Sequence, residues 1–364
     1  MILKDVIIKF NKSTIKAGDG NQEGKYPLYT CSTIINKYLD NYLFNDEAII
    51  LGTGGNPVIN YCNGKFSVST DCLTIKANAQ FLTKYLYYYL IGNINKIETM
   101  FRGAGLKHLN KNELLEMKID NIDKEKQIKI VNQLDIIKDI MDRKEQQLIG
   151  LDEFIKSQFV EMFGDVGKND KNWKYTTLGK ECFLNPKKSE LKNMNENFEV
   201  SFVAMPSVSE NGNIDTNIIK KYDDVKKGFT YFAENDVLFA KITPCMENGK
   251  GAVAVGLKNK IGFGSTEFHV LRPKENINSV WLYTLTAMKN FRIEAERKMT
   301  GSAGQKRVPI SFFETYNLGL PPIELQNQFA DIVKQIDKQK FKIEKSLKEM
   351  KKLNESLMNK YFGE

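Results

Sequence analysis

Two stretches, Asp123–Asp165 and Ile323–Glu364, carry apolar residues at a seven-residue step, and together they constrain the fold more than anything else in the chain. In the first, Leu134, Met141, Leu148, Ile155 and Met162 hold the step, with Val131, Ile137 and Leu151 between them. In the second, Ile336, Ile343, Met350 and Leu357 do the same, helped by Val333, Leu347 and Leu353, while Lys and Glu fill the outer positions. This spacing predicts two long helices, each with one apolar seam. At 1.5 Å per residue each would run about 60 Å. Neither can hide such a seam alone. The chain leaves the first helix, builds a further block and returns along the second, so an antiparallel pair is expected.

The two helices look like copies. Ile130–Asp135 aligns with Ile332–Asp337, and Met162-Phe163-Gly164-Asp165 with Tyr361-Phe362-Gly363-Glu364, the offset drifting by three residues. Two unrelated coiled-coil segments are the competing reading, which the matching Phe-Gly-acidic endings disfavour. The blocks before each helix repeat as well. Phe44–Leu51 matches Phe232–Phe239, both read as an acidic turn feeding a buried strand, and Ser69-Thr70-Asp71 matches Ser265-Thr266-Glu267. From its second Gly onward, Arg102–Leu109 matches Gly301–Val308.

In the first block, strands are expected at 26–29, 48–51, 58–61, 66–69 and 72–75, then a buried helix at 81–91 and a second helical piece at 93–101. A hydrophilic connector, 166–172, leads to the second block. The expected fold class is α+β: two similar mixed α/β domains, 1–122 and 166–322, separated by two long antiparallel α-helices, 123–165 and 323–364, in a pseudo-two-fold repeat. The end of the second helix should return to the first block.

The chain has 364 residues, is 41% hydrophobic and carries a formal charge of +8, which suits a globular protein with a polyanionic partner. Charged Lys4, Asp5 and Lys9 break the opening apolar residues and no apolar run is long enough to span a membrane, so a cytoplasmic location is expected. Five cysteines without a CxxC pair and only two histidines, His108 and His269, make a zinc site unexpected; five reduced, mostly buried thiols are expected.

A search for catalytic motifs returns almost nothing. There is no G-x-x-x-x-G-K-[ST] loop, and Pro57 stands where Gly52-Thr53-Gly54-Gly55-Asn56-Pro57 would need the third Gly of a nucleotide fingerprint. Neither His lies in a nucleophile signature, and Asp223-Asp224 sits in a polar turn. What remains are polar, basic, Gly-containing loops at equivalent points of two blocks. Small residues let a backbone approach a phosphate, cations neutralise it, and Arg, Lys, Asn, Gln, Ser and Thr can read base edges. The candidate DNA-contacting residues of the first block are Thr53, Asn56, Asn60, Ser69, Thr70, Arg102, Lys107 and His108. Those of the second are Lys241, Thr243, Asn248, Lys250, Ser265, Thr266, Ser302, Gln305, Lys306 and Arg307. For any one of them an ordinary surface role competes with base contact.

The chain resembles the specificity subunits of type I restriction-modification systems over essentially its full length. The resemblance is carried by the run Lys227–Lys250, by Gly304-Gln305-Lys306-Arg307-Val308-Pro309, by the helix entry Leu320-Pro321-Pro322-Ile323-Glu324-Leu325-Gln326, and by the Phe-Gly-acidic endings. The first block matches more loosely, through Gly24–Tyr29 and Ser69–Asp71, with Asp120-Asn121 in place of the Pro-Pro entry. The resemblance implies two target-recognition domains that each read half of a split double-stranded DNA sequence, with the helices as a ruler. It also implies two methyltransferase subunits docked on the helices, here through Leu134, Met141, Leu148, Ile155, Ile336, Ile343, Met350 and Leu357, and ATP-dependent restriction subunits in the larger assembly. S-adenosylmethionine, ATP and Mg would then belong to the partners, with no catalytic residue, cofactor or metal in this chain. Two rival readings are a DNA methyltransferase or restriction enzyme with a fused recognition domain, which requires a catalytic motif, and a coiled-coil scaffold, which predicts no salt-dependent DNA binding.

Overall fold

The computed structural model describes every residue except Lys192, Asn193, Glu196, Ala303 and Glu364. The chain divides into two units, Met1–Glu145 with Glu344–Glu364, and Gln146–Ile343, so each unit holds part of both long helices.

The first unit opens with α1 (Leu3–Val6), β1 (Ile7–Lys9), β2 (Tyr26–Tyr29), β3 (Tyr38–Leu39), β4 (Phe44–Gly52), β5 (Ile59–Val68) and β6 (Cys72–Ala77). The strands form one sheet, ordered β1-β6-β4-β5-β2-β3, in which only β2 and β5 pair in parallel. Side chains alternate across a strand. In Ala48-Ile49-Ile50-Leu51, Ile49 and Leu51 therefore face α2 (Thr83–Gly92), while Ala48 and Ile50 join Tyr29, Phe66 and Val68 on the other side. Both faces are covered, which is why the run is continuously apolar.

Two details depart from the sequence expectation. The segments 58–61 and 66–69 are largely one strand, β5, because Asn63-Gly64 lies opposite Glu47 and Asp46 of β4 and does not turn. Those acids stay inside β4, with Lys76 Nζ 2.5 Å from Asp46 and the Tyr61 hydroxyl donating to Glu47 at 2.6 Å. After α3 (Ile94–Glu98), shorter than expected, come β7 (Phe101–Arg102), β8 (His108–Leu109) and α4 (Lys111–Leu115). Asp123 Oδ1 then accepts the Lys126 N–H at 2.7 Å and starts α5 (Lys124–Phe163).

The connector after α5 is a packed turn. Val166 and Asn169 are buried, and the Asn169 side chain donates to Trp173 O and accepts the Trp173 N–H. The second unit continues with β9 (Lys174–Thr177), α6 (Leu178–Glu181), β10 (Cys182–Leu184), β11 (Glu199–Val203), β12 (Ile219–Lys221), α7 (Tyr222–Val225), β13 (Thr230–Ala233) and β14 (Val237–Ala240). Then come β15 (Gly251–Val253), β16 (Ile261–Gly264), β17 (Phe268–Pro273), α8 (Ser279–Ala287), α9 (Lys289–Arg297), α10 (Ile310–Thr315), β18 (Asn317–Leu320) and α11 (Ile323–Phe362). Here the acidic turn is real: Asn235 takes φ 69° and Asp236 accepts the Ala233 N–H at 2.7 Å. The break between β13 and β14 gives two four-stranded sheets, β12-β11-β16-β13 and β10-β17-β14-β15, where the first unit has a single six-stranded one beside the short β7-β8 pair.

Both long helices have 40 residues, and their starts (124, 323) and ends (163, 362) keep one constant offset. The repeat is therefore not drifting: at that offset Ile130 corresponds to Phe329, Leu134 to Val333 and Ile137 to Ile336. Two devices repeat with it. Buried Gln127 accepts the Leu82 N–H and donates to Gln80 O and Ile122 O; buried Gln326 accepts the Asn278 N–H and donates to Asn276 O and Pro321 O. At the other end, Phe163 packs with Phe159, Trp281 and Phe329 in the second unit, and Phe362 packs against Tyr85 and Tyr89 in the first. The acidic residue after the second Phe-Gly, Glu364, lies outside the described residues.

The halves of the two helices run antiparallel within each unit. In the first, Gln133 meets the Tyr361 hydroxyl and Glu145 lies 2.9 Å from Lys351; in the second, Asp152 lies 2.6 Å from Lys340 and Phe159 stacks edge-on with Phe329. Val131, Leu134, Ile137, Val333, Ile336 and Leu347 are buried, and Met141, Leu148, Ile155, Ile343, Met350 and Leu357 are half-buried. Leu353 is 44% exposed and does not belong to the seam, where Met358 is buried instead. Lys340, in a class expected outside, is only 8% exposed because Asp152 neutralises it on the seam.

Candidate nucleic-acid interface

Main-chain bonds gather three loop segments at the same rim of each unit. In the first, the Thr53 N–H donates to Asp71 O, the Gly55 N–H to Lys107 O, and the Leu109 N–H to Thr53 O, at 2.8–2.9 Å. In the second, the Lys241 N–H donates to Glu267 O, the Thr243 N–H to Lys306 O, and the Val308 N–H to Lys241 O, at 2.9–3.1 Å. The Ser69 N–H donates to Tyr29 O as the Ser265 N–H does to Val203 O. One wiring diagram thus serves two sequences. The third segment also turns alike: Gly103 (φ 147°) and Gly301 (φ 124°) each leave 2.7 Å between a would-be Cβ and a carbonyl oxygen, of Leu106 and Gln305 respectively, so neither position tolerates a side chain.

Most of the sequence-predicted residues meet here, in two classes. Asn56, Lys107 and His108 in the first unit, and Asn248, Thr266, Ser302, Gln305 and Lys306 in the second, are exposed. The others hold the loops. Thr53 Oγ1 donates to Asp71 O, and Thr243 Oγ1 donates to Gly304 O while accepting the Lys306 N–H. Ser265 Oγ accepts the Glu267 N–H, Lys250 Nζ reaches Met205 O at 3.4 Å, and Thr70 is pinned by its N–H to Ile15 O. Lys241 is half-buried beside Glu267. Ser69 is 1% exposed and lies beneath the rim, so it cannot touch a base as placed. Asn60 sits in β5 opposite Ile50, its Nδ2 buried, and is not in the cluster. Ala303, in the third segment, lies outside the described residues.

Both arginines are tied to acids. Arg102 donates to Glu113 at 2.8 Å, and Arg307 forks onto Glu267 through Nε and Nη2 at 2.9–3.3 Å. The Arg307 hydrogen bonds hold the Glu267 carboxyl below its usual range. These guanidinium groups position loops first, and the exposed lysines carry the outward charge.

Sequence reading missed the supports. Arg292, 6% exposed, donates Nε to Thr286 O at 2.6 Å and its two Nη to Met246, Gly249 and Lys250 carbonyls at 3.1–3.4 Å, shaping the 244–250 turn from below. Its guanidinium also lies 4.1 Å from the Phe239 ring centroid. Burial pushes its pKa down to about 10, leaving it charged at neutral pH. His269 Nε2 donates to Val308 O at 2.7 Å, and Nδ1 accepts from Asn185 Nδ2, whose Oδ1 is taken by the Val270 N–H. Burial lowers the His269 pKa, consistent with a neutral ring. A fourth segment, 30–37 after β2, also borders the rim, since Cys31 Sγ lies 3.2 Å from Asp71 O; it carries Ile34, 69% exposed. Only an apolar pair inside a polar loop, Ile34-Ile35, marked it in the sequence.

The residues expected to dock partners form the inner seam. The helices' outward apolar residues are different: Ile136, Ile140, Ile149, Phe154 and Phe341 are exposed. Among the described residues no group of three or more His, Cys, Asp or Glu could hold a metal ion, and no helix is long and apolar enough to cross a membrane.

The model of the type I restriction modification DNA specificity domain matches residues 1–151 and 170–352. The chain belongs to that family. Two Escherichia coli members, the EcoAI and EcoEI specificity subunits, are 45% identical over 159 residues and 43% identical over 155. These matches cover 43% and 42% of this chain but only 26% and 25% of the relatives, so the chain spans about a quarter of their length. A putative specificity subunit of Mycoplasma pneumoniae is 37% identical over 90 residues, 22% of this chain and 25% of that one. The solved S subunit from M. genitalium superposes with TM-score 0.62 at 14% identity, covering 100% of this chain and 96% of that one. A chain from a structure on complex assembly and conformational transition of the type I R-M system gives TM-score 0.53 at 16% identity, with the same coverage. These two establish a shared fold for this specificity-domain protein.

Proposed function

We propose that this chain is the non-catalytic DNA-specificity subunit of a type I restriction-modification complex and that it reads a bipartite double-stranded target, one half with each unit. The reading is carried by the duplicated rim: two units with different side chains on the same main-chain wiring. A fixed scaffold with variable exposed residues suits two different half-sites. Lys107 and Lys306 neutralise phosphates, while Asn56, His108, Asn248, Gln305 and their neighbours meet base edges. The long helices set the gap between half-sites. Their exposed Ile136, Ile140, Phe154 and Phe341 are the surface on which methyltransferase subunits dock, and those partners bring S-adenosylmethionine, with ATP and Mg belonging to restriction subunits. The place of action is the cytoplasm, where the host DNA lies.

Footprinting on duplexes selected from a random pool tests this. Two protected half-sites at a fixed gap are expected, with affinity falling steeply as salt rises. A single continuous footprint, or methyl transfer from labelled S-adenosylmethionine by this chain alone, would sink it.

A further inference from the structure

The first unit holds a pair of thiols beneath its rim that the second lacks. Gly52 pairs with Cys72 across β4 and β6. A Cβ on Gly52 would fall 3.1 Å from Cys31 Cα and 3.3 Å from Cys31 Sγ, so the missing side chain is what lets Cys31 lie over this strand end. The Cys31 S–H donates to Asp71 O at 3.2 Å, the residue next to Cys72, so the two thiols lie side by side at this strand end. Cys72 Sγ also lies 3.6 Å from Ser69 Oγ and 3.7 Å from Tyr29 O. Both cysteines are half-buried, as are Cys62 and Cys245, so the thiols are not mostly buried as expected; only Cys182 is. By the main-chain correspondence, the second unit carries Met205, Ala240 and Phe268 at the positions of Cys31, Gly52 and Cys72.

The neighbouring Cys72 thiol, with backbone N–H groups of Gly54 and Thr53 adding to it, lowers the Cys31 thiol against desolvation and the Asp71 charge, whereas the Cys72 thiol is pushed up. Two partly exposed thiols side by side, one on a loop and one at a strand end, are the arrangement of an attacking and a resolving cysteine.

We propose that Cys31 and Cys72 are a redox modification site, oxidised by a peroxide to an intramolecular disulfide that ties the 30–37 loop to the turn between β5 and β6 and disables the first recognition surface. The Cys31 sulfur attacks one peroxide oxygen and cleaves the O–O bond, giving a sulfenic acid and hydroxide, which takes up a proton to become water. The Cys72 sulfur then displaces the sulfenic oxygen, which leaves as a second water with the Cys72 proton. Both sulfurs are oxidised, and the peroxide is reduced to two waters. The consequence for recognition rests on reading the first unit as a DNA-binding head; the disulfide itself does not.

The reduced full chain is treated with hydrogen peroxide, its remaining thiols are alkylated, and its peptides are mapped by mass. A peptide joining Cys31 to Cys72, lighter by two hydrogens and split by dithiothreitol, is expected, and before oxidation Cys31 should alkylate roughly tenfold faster than Cys182. On pool-selected duplexes the oxidised protein should lose roughly tenfold or more in affinity for one half-site and none for the other. C31S and C72S, which cannot form the link, should keep both half-sites in peroxide. Free Cys31 and Cys72 after treatment, Cys31 joined to Cys62 instead, or a linked pair with both half-sites still protected would overturn the proposal. If the reduced protein protects no DNA, the DNA-binding reading fails, while the peptide map still decides the dithiol.

Discussion

Replacing Arg292 with Met tests how the rim of the second unit, its proposed recognition surface, is held. The change keeps an unbranched apolar stem and removes a guanidinium that meets Thr286, Met246 and Gly249 carbonyls at 2.6, 3.1 and 3.1 Å. Each buried carbonyl left without a donor costs about 1–3 kcal/mol, and relief of the buried cation's desolvation offsets part of the sum. A net loss of about 3 kcal/mol is expected, which for a unit of this size lowers the melting temperature by roughly 6–12 °C. Arg292→Lys retains an ammonium with three donors but no planar fork, and should lose about half as much. Because Met246, Gly249 and Lys250 belong to the 244–250 turn, R292M should also abolish recognition of one half-site while the other stays protected at a temperature where the variant is folded. Calorimetry and footprinting read the two effects. A variant as stable as the parent, with both half-sites intact, would refute the claim that Arg292 shapes that turn.

Three other outcomes follow from the supports. Gln127→Leu and Gln326→Leu should each cost about 2 kcal/mol in urea titrations, because each buried amide makes three backbone hydrogen bonds; a cost confined to one of them would deny the symmetry of the clamps. Lys340→Ala should destabilise by about 3 kcal/mol by stranding Asp152 on the seam, whereas Lys340→Leu with Asp152→Leu should restore most of it, and a neutral single variant would show that the pair is solvated. His269 is held neutral in the folded state with a lowered pKa, so the unfolded chain binds more protons below the ordinary His value of about 6.5. Stability should therefore fall as pH drops below that value, and His269→Asn should flatten the decline. An unchanged pH profile in that variant would remove His269 as its source.

The helices were legible because a seven-residue step of Leu, Met and Ile over forty residues fits a helical seam and little else, and the Phe-Gly endings were legible because they repeat. The third loop segment aligned correctly through Gly105 and Gly304 for the same reason. The failures have physical causes. Asn63-Gly64 reads as a turn until a strand carrying Asp46 and Glu47 is placed opposite it. Lys340 reads as solvated until Asp152 arrives from the other helix. Arg292, His269 and Asn185 act through partners tens of residues away, and nothing in their local sequence distinguishes a buried, bonded side chain from a surface one. Ser69 and Asn60 were chosen for their chemistry, which says nothing about burial.

The spacing role proposed for the helices can be measured directly. Removing one heptad from each, Lys144–Gly150 and Glu344–Met350, keeps the phase of the seam and shortens each helix by about 10.5 Å, or roughly three base pairs. Selection of bound duplexes should then return the same two half-site sequences with the gap between them shorter by about three base pairs. An unchanged gap, or loss of both half-sites in a variant that still melts cooperatively, would contradict the account.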